Sequence, residues 1–365
     1  MEYVQERVAT LHAFEDRVPE APTENAAVVV PLTEREHASL AAERVLTTLD
    51  RVDPARVIVA LRASEERVDT VARWLDSFEL GPEVLWCNAP EVRDAIGEHG
   101  LNGPAGKGRD VWLALGLAAQ EEYVAVHDAD ATTYSRAHVP RLLFPLAHGY
   151  DFSKGYYARV ENDRLYGRLF RLFYTPLVRA LAETDDAPVV DYLASFRYAL
   201  AGEFAATSDL ARRLRAQRGW GLEVGTLGDA FATAGFDGTA QVDLGRHEHD
   251  HRAVGGPQGL GDMCREVATA LFHAVEDAGL DPDYDRLRER YRETADELVD
   301  QYGTDAAFNG FAFDAAGERE QVDTYAEAVA PPAEDTRLPA WDETDLDPGA
   351  VERAARRGLD RATDR

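Results

Sequence analysis

The sequence predicts an α/β fold, with a mostly parallel, Rossmann-like central sheet and helices on both faces. Strand-like and helix-like stretches alternate as β-α-β-α-β between residues 26 and 87. Tyr123-Val-Ala-Val-His-Asp-Ala-Asp130 then runs from an apolar, β-branched segment straight into two carboxylates one residue apart. That is the pattern of a buried strand delivering an acid pair to its C-terminal edge. A Gly-rich loop, Asn102-Gly-Pro-Ala-Gly-Lys-Gly-Arg109, opens a helix just before that strand.

Taken in order, residues 1–24 read as a short helix and a proline-containing linker. The run 26–32 is the first strand, and Thr33-Glu-Arg-Glu36 reads as the start of a helix continuing through 37–49. A strand at 56–61, a helix at 65–77 and a strand at 83–87 complete the first half. The helix 110–119 and the acid-pair strand follow. Beyond them come a helix at 138–146, a strand at 151–160 carrying Lys154, and an arginine-rich helix at 164–181. A strand at 198–207 precedes a helix capped by Ser208, then a helix at 221–235 and a strand at 239–251 that ends in histidines. The helix 261–279 closes the domain, and from about 282 the chain turns acidic, with surface helices and a Pro-rich tail.

The 365 residues carry a net charge of −28, and only two of the 39 basic residues are lysines, Lys107 and Lys154. Such a surface keeps a protein soluble where salt screens its self-repulsion, so a halophilic cytoplasm is the expected setting. Nucleic acid and anionic membranes need clustered basic residues and are not expected partners. Two cysteines, Cys87 and Cys264, cannot build a disulfide framework, which fits a reducing compartment. No apolar stretch is long enough to span a bilayer, and the acidic N-terminus lacks signal-peptide regions. A homodimer is left open.

Residues i and i+2 of an extended chain share a face, so Asp128 and Asp130 can converge on one target. Like charges that close call for a cation, and Mg²⁺ is held by one or two carboxylates plus substrate phosphates. In open α/β sheets, ligands bind beyond the carboxyl ends of the strands, where this pair lies. Gly106-Lys107-Gly108 before a helix suits an anion, although it lacks P-loop spacing and Arg109 stands where a magnesium-binding hydroxyl would. A compact ammonium in a tight site is not replaced by arginine as a surface lysine is, which marks both lysines. His247, His249 and His251 alternate and would share one face of a strand, as a metal ligand or as solvated edge residues. Glu203 and Glu223, each flanked by glycine and apolar residues, lie either on an exposed helix side or in a cleft.

The succession of motifs resembles a known family. Pro-Leu-x-Glu after the first strand, Gly-Lys-Gly, Asp-x-Asp, Phe-x-Lys, Gly-Arg, Gly-Glu-Phe-Ala-Ala-Thr, Gly-Leu-Glu-Val-Gly and Leu-Gly-x-x-x-His resemble the glucosyl-3-phosphoglycerate synthases. These are retaining glycosyltransferases of GT-A fold, related to the family 2 transferases. The resemblance implies a GT-A domain at 26–280, with a nucleotide-sugar half at 26–130 and an acceptor half at 131–280. An N-terminal helical extension (1–25) and an acidic helical C-terminal extension (281–365) flank it.

It also implies a nucleoside-diphosphate hexose donor, glucose by family, a small anionic acceptor such as 3-phosphoglycerate, and Mg²⁺ or Mn²⁺. Pro31, Leu32, Glu34, Lys107, Asp128 and Ala129 would bind the donor, while Asp130 and His249 would hold the metal. Gly167, Arg168 and Arg171 would receive the acceptor, with Glu223, Asp128 and Lys107 in the catalytic centre. Two positions depart from the family pattern. The usual aspartate-rich turn after the second strand is Arg62-Ala-Ser-Glu-Glu66, and the threonine expected two residues beyond Gly-Arg is Phe170. The competing classes are a family 2 transferase for another sugar or acceptor, a non-catalytic nucleotide-sugar-binding module, and a sugar nucleotidyltransferase. The last would carry a Gly-rich loop after the first strand, where Thr33-Glu-Arg-Glu36 has no glycine.

Overall fold

Eight strands form the central sheet of the computed structural model, which describes residues 5–158, 160–161, 164–248 and 256–363. They are β1 (Ala9–Leu11), β2 (Ala26–Thr33), β3 (Arg56–Arg62), β4 (Glu83–Trp86), β5 (Tyr123–Val126), β6 (Phe152–Ala158), β9 (Phe204–Thr207) and β10 (Thr239–Arg246). A separate hairpin joins β7 (Val160–Glu161) to β8 (Arg164–Leu165). The sheet order is β1-β10-β6-β9-β5-β2-β3-β4. Every neighbouring pair is parallel except those of β9, which runs antiparallel to both β5 and β6. Val28, Val29 and Val30 of β2 and Ile58 and Val59 of β3 are fully buried, as strands covered by helices on both faces require. The mostly parallel α/β sheet expected from the alternation is therefore present. Among the described residues no helix is long and apolar enough to cross a membrane.

Several local expectations are corrected. The N-terminal stretch read as a helix contains β1 instead, pairing Ala9 with Ala240 and Leu11 with Val242 at one edge of the sheet. Three residues suffice because β10 supplies the ladder. The first long helix begins at Leu40, not at Thr33: Thr33 and Glu36 close a turn by side-chain hydrogen bonds of 2.6 and 2.8 Å, and Ser39 caps the helix Leu40–Val52. The stretch 164–181 is not one helix either, since Arg164 lies in β8. Helix starts only at Arg168, widens to a π-turn at Phe170–Tyr174 and continues as Thr175–Thr184.

The acidic C-terminal stretch packs into the same core. Its long helix Tyr284–Asn309 sets Tyr291 against Phe173 and lets the phenol donate to the Leu172 carbonyl at 2.6 Å. The last helix, Pro348–Thr363, buries Val351, Ala354 and Ala355 beside the other sheet edge, where Arg361 pairs with Glu91 at 2.7 Å.

Candidate active site

β5 ends at Val126, and the ladder lasts one residue more, the His127 amide donating to the Val29 carbonyl at 3.0 Å. Asp128 and Asp130 therefore stand on the turn beyond the strand rather than alternating along it. Lys107 begins the helix Lys107–Ala118, and its ammonium reaches both oxygens of Asp128, at 2.7 and 2.9 Å. It also meets Glu223, from the first turn of the helix Leu222–Thr233, at 2.9 Å. Glu223 thus follows its cleft reading, and one ammonium joins two carboxylates 95 residues apart in the chain.

The electrostatics follow from burial. Burial alone would depress the Lys107 ammonium, but the charges of Asp128 and Glu223 outweigh it and hold the pKa well above the ordinary value. Burial raises the Asp128 carboxyl, with Asp130 and Glu223 adding to the effect against the pull of Lys107. Gly202 makes the close approach possible, since a Cβ there would stand 2.2 Å from an Asp128 oxygen. Lys154, which the sequence marked only as the second lysine, is fully buried behind this turn and donates to the Ala201 carbonyl at 2.6 Å. Burial lowers its pKa to about 8, opposed by Glu223 and Glu203. Glu203 is itself buried at the entry to β9, so its exposed reading is excluded.

The glycines around Lys107 serve the backbone first. A Cβ at Gly106 would lie 2.3 Å from the Arg218 carbonyl, and one at Gly108 would lie 1.7 Å from that of Gln217. Arg109 is a core residue, donating to the Cys87 carbonyl at 3.2 Å. On the donor side, Pro31 is half-buried, while Leu32 and Ala129 are buried. Glu34 accepts from the backbone N–H and hydroxyl of Ser64, both at 2.8 Å, which together hold its carboxyl below the usual range. This ties the loop after β2 to Arg62-Ala-Ser-Glu-Glu66, whose Arg62 reaches Asp110 at 3.1 Å.

The histidine expectation is corrected in part. β10 stops at Arg246, and His247 is buried with its ring stacked on Tyr157 at 4.0 Å, a packing role. His249 and His251 lie outside the described residues. Among the described residues, no three histidine, cysteine or carboxylate side chains gather at metal-ligand spacing.

On the acceptor side, Gly167 turns the chain at φ +75° and presents Arg168, whose side chain is 50% exposed. Arg171 does not join it. Its guanidinium is buried, forks onto Glu318 at 2.8 and 3.0 Å and lies 4.7 Å over the Tyr302 ring, so it binds the C-terminal helix Ala315–Ala326 instead of an acceptor. Breaking a buried pair leaves an uncompensated charge, so Glu318→Ala is expected to lower stability by about 3–5 kcal/mol. Chemical denaturation checks this, and an unchanged midpoint would refute it.

No protein-family model matches the chain. The glucosyl-3-phosphoglycerate synthase of Methanococcoides burtonii is 32% identical over 375 residues, covering 93% of each chain. That of Persephonella marina is 35% identical over 292 residues, covering 75% of this chain and 72% of the relative. Among solved structures, glucosyl-3-phosphoglycerate synthase from Mycobacterium tuberculosis in complex with Mn²⁺, UDP-glucose and phosphoglyceric acid aligns with a TM-score of 0.57 at 26% identity. That alignment covers 75% of this chain and 89% of the mycobacterial one.

Proposed function

The chain belongs to the glucosyl-3-phosphoglycerate synthase family, and from that membership we propose that it transfers glucose from a nucleoside-diphosphate sugar to 3-phosphoglycerate in a metal-dependent reaction. The observation that carries the reading is the Lys107–Asp128–Glu223 cluster beyond the C-terminal end of β5 in a mostly parallel sheet. That edge is where an open α/β sheet receives its ligand.

The residues fit a divalent cation. Lys107 already offsets the charge of Asp128, and Asp130, half-buried on the same turn, is the second carboxylate of the pair. Asp130 and His249 would hold Mg²⁺ or Mn²⁺, which when bound supplies charge stabilisation for the departing nucleoside diphosphate. The rest of the work belongs to the chain. Lys107 fixes Asp128 on the donor side and Glu223 on the acceptor side, so both substrates meet one rigid frame. Glu223 would receive the acceptor hydroxyl, and Arg168 would grip the acceptor's anionic group. From the resemblance to a retaining family, we read the transfer as retaining, by same-face departure and attack without a protein nucleophile.

The test supplies UDP-glucose, 3-phosphoglycerate and Mn²⁺ or Mg²⁺, and measures nucleoside diphosphate release together with the glycosylated product. Release that does not depend on the acceptor, or a better yield with a neutral acceptor, would overturn the assignment.

We place the enzyme in a salt-rich cytoplasm. Both cysteines are free and buried, and arginine–carboxylate pairs such as Arg292–Asp323 and Arg290–Glu293 stud the surface. Exposed pairs contribute about 0–1 kcal/mol each and do not remove a net charge of −28. The melting temperature is therefore expected to fall as salt is diluted from 1 M to 0.1 M, where the Debye length grows from about 3 Å to about 10 Å. A midpoint that does not move across that range would show that local pairing suffices.

A further inference from the structure

The 2.9 Å contact between Lys107 and Glu223 joins segments 116 residues apart, and a single residue, Arg218, ties together the backbone around them through its carbonyl and its guanidinium. Arg218 sits on the turn that leads into the Glu223 helix. Its carbonyl accepts from the Arg109 N–H at 3.1 Å, inside the first turn of the Lys107 helix. Two nitrogens of its guanidinium reach the Leu101 carbonyl, both at 3.2 Å, at the start of the Gly-rich loop. The Nε atom donates to the Thr336 carbonyl at 2.9 Å, in the C-terminal segment. The loop is shaped around this guanidinium, since a Cβ at Gly103 would lie 2.8 Å from its Cζ atom.

The C-terminal segment is anchored in turn. Ala216 and Leu338 exchange backbone hydrogen bonds of 2.9 and 3.1 Å. Trp341 stacks on Trp112 of the Lys107 helix, with centroids 4.3 Å apart, and each indole N–H donates to a backbone carbonyl at 2.8 Å. Gly116 leaves the space, because a Cβ there would lie 2.4 Å from the Trp341 ring.

We propose that Arg218 is a positioning residue of this enzyme, holding the Lys107 and Glu223 helices at their working separation, with the C-terminal strap around Thr336–Trp341 as its outer anchor. This rests on the reading of Lys107 and Glu223 as active-site groups. Arginine suits the task because its planar fork serves carbonyls on two different segments at once, which a lysine ammonium on a flexible stem cannot do in the same geometry. The strap makes the C-terminal stretch part of the frame that supports the site.

The experiment compares Arg218→Ala, Arg218→Lys and Trp341→Ala with Glu223→Gln in the full chain, measuring kcat and both KM values on protein shown to be folded by its melting transition. Displacing reacting groups by about 1 Å can cost about a hundredfold in rate, so Arg218→Ala is expected to lower kcat by about 10- to 100-fold with donor KM little changed. Guanidinium ion, added well below denaturing concentration, is expected to restore part of that kcat and to do nothing for Glu223→Gln. A folded Arg218→Ala with wild-type kcat overturns the proposal, and so does a loss that guanidinium cannot repair and that tracks the fraction unfolded. If Arg218→Ala does not fold, Arg218→Gln carries the same two outcomes. Full activity in Glu223→Gln would instead overturn the underlying reading of the site.

Discussion

Asp130→Ala is expected to lower kcat by at least about 10²- to 10³-fold, the scale seen when a group stabilising transition-state charge is removed. Asp128 is not its equivalent. Lys107 reaches both Asp128 oxygens, so that carboxylate is engaged in the frame, whereas Asp130 lies half-buried two residues further along the turn. The two substitutions should therefore separate. Asp130→Ala should weaken Mn²⁺ binding directly, while Asp128→Ala should release Lys107 and loosen Glu223 as well. His249→Ala should also weaken the metal. His247→Ala should cost stability instead, because its ring is packed on Tyr157. Manganese titrations of activity, with a chelator control, check all four. Full activity in excess chelator, or equal metal affinity across the Asp130 and His247 variants, would remove the metal assignment.

The sheet was largely legible because strands buried on both faces need continuous apolar runs, and β2, β3 and β5 have them. β1 was not, because a three-residue edge strand has too few positions to show a period and depends on β10 for its hydrogen bonds. Nothing in Phe204-Ala-Ala-Thr207 encodes direction, so the antiparallel insertion of β9 between β5 and β6 emerges only in three dimensions.

The site divides in the same way. Asp128, Asp130 and Lys107 carry local motifs. Glu223 was ambiguous alone, because its partner lies 116 residues away. Arg171 departs from its expected place for a like reason: on a helix it shares a face with Arg168, but Glu318, 147 residues on, captures it. Arg218 carries no motif at all, and only its contacts reveal it.

Arg168→Ala is expected to raise the acceptor's KM by about 10- to 150-fold, since a hydrogen bond to a charged group contributes about 1.5–3 kcal/mol. Arg168 opens the helical segment just after the Gly167 turn, and its side chain is half-exposed. Among the described residues, the Glu318 carboxylate stands 4.0 Å from its Nε and is already held bidentately by Arg171, so that contact competes weakly with an incoming anion. A protein of net charge −28 repels a phosphorylated acceptor in general, which makes a local guanidinium decisive for capture. Phe170 bears on the size of the effect. It stacks on Tyr174 and lies 4.8 Å from the Tyr198 ring, so the position where the resemblance implies a threonine offers no hydroxyl here. With that hydroxyl missing, more of the grip on the anion rests on Arg168, and the loss should fall toward the upper end of the range. On the proposed reading the donor lies at the other side of the Lys107 frame, so its KM should stay within about twofold, the pattern of a lost ground-state contact to one substrate only. Initial rates with each substrate varied in turn separate the two. If donor affinity falls instead, or if uncharged acceptors react best with the wild-type enzyme, Arg168 is not the acceptor's anchor.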